Sequence, residues 1–339
     1  MSNEPNEEKV INKTYQKINY SIRPAKCVER KMLCEAFQRL SHFHRIETYR
    51  YIGFGSTFFS DFSLFHRVLG FTSMVSIEHN EDDQLRFEFN KPYKCIQLLF
   101  GSSHEKLPKL EWDKPTILWV DYDGNLNKDV LSDIGVFCTK ATHGSVIVIT
   151  VNAHTISLPK DKEEDFTVFE YRMSELIKQV GEKRIPQKTK NTDLIPTKQS
   201  TVLRNIINNE IQELIAARNG GLPENEKLEY EQLFNISYQD GAKMLTVGGI
   251  LFKSTESEYF KRCEFEKLEF YRAGEEAFSI GIPNLTFREI RFLDKKLPQE
   301  NGEEDTLSLI ELGDCIPKED IDNYKKIYRY FPNFTETEM

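Results

Sequence analysis

Apolar positions recur along this chain with two different periods, and the alternation between them predicts its architecture. From Pro24, the residues Val28, Met32, Leu33, Phe37 and Leu40 fall at helical spacing behind a proline suited to the first helical position. A short strand, ETYRYIGF, then runs into glycines, and a second apolar-periodic helix, FFSDFSLFHRVLG, carries Phe58, Phe62, Phe65 and Leu69 on one side and stops at Gly70. SMVSIE, KCIQLLFG, TILWVDYDG and SVIVITVNA follow as four more strands, separated by a polar helix over roughly 80–90 and a helix over 127–140. These strands are apolar on both faces and alternate with helices, as in a parallel sheet covered on both sides.

After Ala153 the alternation breaks. Residues 158–200 are charged and rich in Lys, Glu and Pro, and a long helix over roughly 200–218 stops at Asn219-Gly220-Gly221. Two β-like runs, EQLFNISYQ and KMLTVGGILFKS, are joined by Asp240-Gly241, a hairpin signal. Beyond 260 the segment 264–272, EFEKLEFYR, reads as a strand. FREIRFLDKKLP opens with a capping box of Thr286 and Glu289, residues 299–306 form an acidic loop, and KEDIDNYKKIYRYF is a tyrosine-rich helix. The fold class expected is α/β: a Rossmann-like parallel sheet with helices on both faces and a terminal antiparallel hairpin, plus a helical insertion and a C-terminal α+β extension. Its parts are a flexible N-terminus (1–22), a core (23–157), a locally basic insertion (158–222), a hairpin completing the sheet (223–256) and the extension (257–339).

Composition narrows the function. Of 339 residues, 39% are hydrophobic and 29% charged, the balance of an ordinary globular protein, and charges interrupt every apolar run before it reaches a membrane span. The N-terminus, MSNEPNEEKVINK, lacks the apolar core of a secretory signal, so a cytoplasmic location is expected. The six cysteines show no CxxC pair, which argues against a thiolate metal site. A net charge of −9 argues against a surface built to grip nucleic acid. The locally basic stretch Lys178–Arg204 is one candidate for such contact, and a solvated loop is the favoured reading of it.

The candidate chemistry lies at the carboxyl ends of the predicted strands. Gly53-Phe54-Gly55-Ser56 occupies a strand-to-helix turn, where glycine permits close approach of backbone to a ligand. A dinucleotide turn requires a third glycine for helix packing, and Phe58 stands there instead, which disfavours NAD or FAD. Glu78 ends the second strand, beside His79, where an acid accepts hydrogen bonds from ribose hydroxyls. Gly101-Ser102-Ser103 ends the third, and Asp121-Tyr122-Asp123 the fourth. A tight turn, a helix cap and a self-satisfied polar turn would explain these features one by one. Their order on successive elements favours a shared site.

That order resembles the class I S-adenosylmethionine (SAM)-dependent methyltransferases over residues 24–155, and loosely over the hairpin 231–253. More narrowly, YIGFGSTFFSDF followed by SIE, FNKPY and LWVDYDG looks like bacterial proteins labelled O-methyltransferases. The resemblance implies SAM as cofactor: Gly53, Phe54, Gly55 and Ser56 along its methionine part, Glu78 and His79 at the ribose, Ser102 or Ser103 at the adenine, and Asp121 near the reacting methyl. It departs at Tyr51, where the family usually has the acid that places the methionine ammonium; Asp61 or Glu29 is a candidate substitute. Asp121 and Asp123 are the candidate proton acceptors. Arg23, Lys26 and Arg30 are placed to meet a carboxylate of cofactor or substrate, and Tyr122 and Tyr238 to touch substrate, with Asp240 and Lys243 near the hairpin turn. Asp121-Tyr122-Asp123-Gly124 differs from the D/N/S-P-P-Y/F run of amino-directed DNA methyltransferases, and no Pro-Cys nucleophile is present. The Asp121-x-Asp123 pair resembles weakly the D-x-D-K run of magnesium-dependent catechol-type enzymes, although no metal is assigned. His42 and His44 read as surface residues. The function expected is methyl transfer to oxygen or nitrogen of a small molecule, nucleotide or protein. The alternative is a non-catalytic SAM-fold sensor, or a partner subunit of a bacterial complex docking through the C-terminal region.

Overall fold

The computed structural model describes residues 23–164, 166–299 and 315–332. The N-terminal segment 1–22 lies outside them, as does the acidic loop except for Gln299. In chain order the main elements are α1 (Pro24–Gln38), β1 (Arg50–Gly53), α2 (Ser60–Leu69), β2 (Ser73–Glu78), α3 (Gln84–Asn90), β3 (Ile96–Phe100), α4 (Ser103–Lys106), β4 (Thr116–Asn125), α5 (Lys128–Lys140) and β5 (Ser145–Asn152). There follow α6 (Val168–Val180), α7 (Gln199–Asn219), β6 (Leu228–Asp240), β7 (Ala242–Lys253), α8 (Ser257–Arg262), β8 (Phe278–Ile280), α9 (Phe287–Asp294) and α10 (Lys318–Ile327).

The strands form one sheet in the order β3-β2-β1-β4-β5-β7-β6-β8. β1 to β5 pair in parallel, and β7 runs antiparallel to both β5 and β6. This is the Rossmann-like sheet with a terminal hairpin expected from the sequence. The order reverses between β1 and β4, and such a switch point opens a crevice at the carboxyl ends of the strands.

The period of two along the strands divides the core into two layers. Tyr51, Ile117, Trp119, Val146 and Val148 pack on one face with α1, α2 and the C-terminal segments. Ile52, Leu118, Val120, Ile147 and Ile149 pack on the other with α5, α6 and α7. The apolar faces of α6 and α7, including Leu176, Val180, Ile207 and Ile211, therefore join the same layer as α5.

Two expectations are corrected. Residues 264–272 are not a strand: Phe265–Lys267 form a 3-10 turn, and Phe265, Leu268 and Phe270 are buried as plugs. The additional strand is β8, which pairs in parallel with β6. His44 is not a free surface residue, because its ring packs against His143 and Tyr49. The Thr286–Glu289 capping box forms as expected at the start of α9.

α1 is clasped from two directions. Asp240, on the hairpin, accepts the backbone N–H groups of Ala25 (3.2 Å) and Lys26 (2.9 Å), which caps a helix whose own N-cap, Arg23, makes no side-chain cap bond. On its outer face Glu35 accepts from Tyr330 and pairs with Arg329 at 3.1 Å. Lys31 donates to the carbonyl of Phe331 at 3.3 Å. This part of the extension thus braces α1 within the chain. Among the described residues, no helix is long and apolar enough to cross a membrane.

Candidate active site

A cavity of about 630 Å³ opens at the carboxyl ends of β1, β2 and β4, at the switch point. Most of the residues singled out in the sequence line it: Phe54, Gly55, Ser56, Glu78, His79, Ser102, Ser103, Asp121, Tyr122 and Asp123. Gly53 is buried at the strand end instead, and Arg23, Lys26 and Tyr238 do not open into the cavity. Arg30, Asp61, Trp119, Asn127 and Asp129 join the wall. The sequence signal for Asn127 is its capping position: its side chain accepts the N–H groups of Asp129 and Val130 at the start of α5. Trp119 gives no such signal, because in sequence it reads only as an apolar strand residue.

The glycines serve packing rather than unusual dihedrals. Neither Gly53 nor Gly55 has a positive φ; the left-handed positions of this loop are Ser56 (φ 50°) and Phe59 (φ 46°). Non-glycine residues in that region store strain, which is common beside functional sites. A Cβ on Gly53 would lie 2.6 Å from the Tyr51 hydroxyl. A Cβ on Gly55 would lie 2.5 Å from the Phe59 ring and 2.7 Å from Ser76 Oγ. Gly55→Ala is therefore expected to cost about 1–3 kcal/mol by overpacking. Urea denaturation reads this directly, and unchanged stability would show that the turn has slack. The helix after the turn begins at Ser60, later than the sequence pattern suggests, with Phe59 at its N-cap.

Glu78 organises the turn. Its Oε1 accepts from the Gly55 N–H (3.0 Å) and the Ser76 hydroxyl (2.6 Å). Burial pushes the carboxyl up to about 7, against the downward pull of those hydrogen bonds. Tyr51 points into the core, ringed by Phe62, Phe65 and Phe71, and donates its hydroxyl to Asp61. Asp61 comes from the first turn of α2 and is 7% exposed, at the cavity wall. Burial raises its carboxyl, and the nearby Arg30 guanidinium opposes the rise. Asp61, the candidate substitute for the acid missing at Tyr51, is thus tied to the Tyr51 hydroxyl at the cavity wall.

At the β4 end, Asp121 Oδ1 is 2.8 Å from Lys26 Nζ. Tyr122 donates to Asp133 of α5, stands 3.1 Å from Ser103 Oγ, and packs edge-on against Phe54 with centroids 5.2 Å apart. Burial raises the Asp133 carboxyl. Ser102 lies 3.4 Å from His104 Nε2. Among the described residues no group of three or more His, Cys, Asp or Glu side chains is arranged to hold a metal ion.

Four cations of the basic stretch have side-chain partners, and one of them is buried. Lys178 pairs with Glu175, Arg184 with Glu210 through two bonds, and Lys198 with Asp193. Arg204 is buried against Gln232 at 2.7 Å.

Among solved structures, the chain is similar to a chain of the complex between the Haloferax volcanii Trm112 methyltransferase activator and a methyltransferase (12% identity, TM-score 0.28, 38% of this chain and 56% of that one). It is also similar to an O-methyltransferase from Bacillus cereus in complex with SAH (15%, 0.35, 64% and 80%). A third similar structure is Trm1 from Pyrococcus horikoshii with S-adenosyl-L-methionine (9%, 0.43, 72% and 58%). The chain thus spans 56% of the Haloferax chain and 58% of the Pyrococcus one. No curated protein matches it. A family model matches residues 18–339, nearly the whole chain, and by that match the protein belongs to the family described as "Putative O-methyltransferase".

Proposed function

We propose that the protein transfers a methyl group from SAM to an oxygen or nitrogen nucleophile, with the cofactor in the cavity between Phe54 and Asp129. The observation that carries this reading is the buried Glu78 carboxylate at the wall of a cavity of about 630 Å³ at the sheet's switch point. That volume suits a ligand of nucleoside size with room for an acceptor. The residues present fit SAM part by part. Glu78 would accept the ribose hydroxyls, Ser102 and Ser103 would face adenine, Asp61 and Arg30 would meet the ammonium and carboxylate of the amino-acid group, and Asp121 would lie near the sulfur.

When bound, SAM supplies an electrophilic methyl on a cationic sulfur. The chain's own part is alignment, which brings nucleophile and methyl into line, and acceptance of the nucleophile's proton by the Asp121 or Asp123 carboxylate. Asp121, Asp123, Asp129, Glu81 and Asp82 all contribute to the wall. Such a wall repels phosphate, so a neutral or cationic acceptor fits better than a nucleotide or nucleic acid. Among the described residues no group of three or more His, Cys, Asp or Glu is arranged for magnesium, and Asp121 Oδ1 lies 2.8 Å from Lys26 Nζ.

Calorimetric titration with S-adenosylhomocysteine, with NAD as the control ligand, tests the reading. Micromolar binding of S-adenosylhomocysteine and none of NAD is expected. Binding followed by no turnover on any acceptor would favour the alternative of a non-catalytic sensor. Binding of NAD alone would overturn the cofactor.

A further inference from the structure

Behind Asp121, away from the cavity mouth, buried polar groups from four elements close into a circuit. Trp119 Nε1–H of β4 donates to Thr150 Oγ1 of β5 at 3.1 Å. The hydroxyls of Thr150 and Thr246, on β7, are 2.8 Å apart, and Thr246 donates to the Glu29 carboxylate of α1. Glu29 Oε2 is 2.7 Å from Lys26 Nζ, and Lys26 Nζ is 2.8 Å from Asp121 Oδ1. The ammonium sits 4.4 Å over the Trp119 ring, which returns the circuit to its start. Tyr238 of β6 accepts from Lys26 at 3.1 Å.

An ammonium has three N–H donors. That of Lys26 donates one to Tyr238 and lies within ion-pair distance of both Glu29 and Asp121, and the side chain is 1% exposed. The ammonium is enclosed and does not line the cavity, so the expectation that Lys26 binds a substrate gives way to a different role. The side chain of Asp121 is 23% exposed and shares one ammonium with Glu29, which is fully buried. Two carboxylates on one ammonium leave the group a net negative charge, next to where the reading above puts the cationic sulfur.

We propose that Lys26 is a positioning residue that holds Asp121 by Oδ1 and, because Glu29 shares it, leaves a net negative charge there that favours the sulfonium of SAM over the neutral sulfur of S-adenosylhomocysteine. This inference rests on the cofactor reading. The charged substrate balances the group and the neutral product does not, so the site discharges its product more readily than it releases its substrate.

The test is the ratio of SAM to S-adenosylhomocysteine affinity, measured by calorimetry on the full chain. Glu29→Gln keeps an acceptor for Thr246 but gives Lys26 wholly to Asp121, and is expected to lower the ratio roughly tenfold. Adding Lys26→Met to that variant removes the opposing charge and is expected to return the ratio to the wild-type value or above it. Asp121→Asn alone lowers the ratio at least as far as Glu29→Gln does. A role for Lys26 in packing alone predicts no such reversal. An unchanged ratio in Glu29→Gln or Asp121→Asn overturns the inference, as does a double variant that binds S-adenosylhomocysteine normally with the ratio still depressed. Failure of the wild-type protein to bind either ligand would instead remove the cofactor reading itself.

Discussion

Glu78→Gln is expected to weaken S-adenosylhomocysteine binding about 10- to 100-fold at pH 8 and to abolish most of the pH dependence of binding between 6 and 8. The first figure follows from hydrogen bonds between an ionised carboxylate and sugar hydroxyls, worth about 1.5–3 kcal/mol. The second follows from the burial that pushes the Glu78 carboxyl up to about 7. The ionised form is the acceptor, so affinity in the wild-type protein rises as pH rises through about 7. Folding responds with the opposite sign. The folded carboxyl holds its proton more tightly than the unfolded one, whose ordinary value is 4.5. Its contribution to stability is fully present below 4.5 and is lost as pH rises through about 7. Chemical denaturation of the ligand-free protein at several pH values should show this decline, and the glutamine variant should lack that part of it. Parallel trends of binding and stability would mean that Glu78 is not the group that titrates.

Asp61 separates stability from recognition. Asp61→Ala leaves the fully buried Tyr51 hydroxyl without its acceptor and is expected to cost about 1–3 kcal/mol for that group alone. Asp61→Asn retains an acceptor oxygen and should recover most of that loss in urea denaturation. It should not recover recognition. In the proposed site Asp61 faces an ammonium, so the asparagine variant should lose roughly tenfold or more in affinity for S-adenosylhomocysteine. Its affinity for 5′-methylthioadenosine, which lacks the amino-acid group, should stay unchanged. An equal fall for both ligands would place Asp61 elsewhere than at the amino-acid end.

The sheet was legible because its strands are apolar on both faces and its hairpin carries a DG turn; both signals are local. β8, three residues long, is too short to show a period. The run 264–272 intersperses Phe265, Leu268 and Phe270 with charged residues, yet these three plug the core from a turn. The cavity residues at strand ends were legible for the same reason as the strands. What the sequence hides is direction and burial. Lys26 reads in sequence as a cation for a carboxylate of cofactor or substrate, because only one of its partners, Glu29, is close in sequence, while Asp121 and Tyr238 arrive through the fold. Asp133 reads as the polar side of an amphipathic helix, yet it is buried against Tyr122. The loop after β1 follows the same rule: the pattern FFSDF gives a helix face but not the left-handed Phe59 that starts it.

The Asp240 cap on α1 also has a consequence for biosynthesis. α1 is translated early, but the carboxylate that caps it leaves the ribosome some two hundred residues later, and Tyr330, which clasps its outer face, later still. Domains mature as units as the chain emerges. A nascent chain therefore carries Asp121 before the Asp240 cap that anchors α1, and with it Lys26, has emerged.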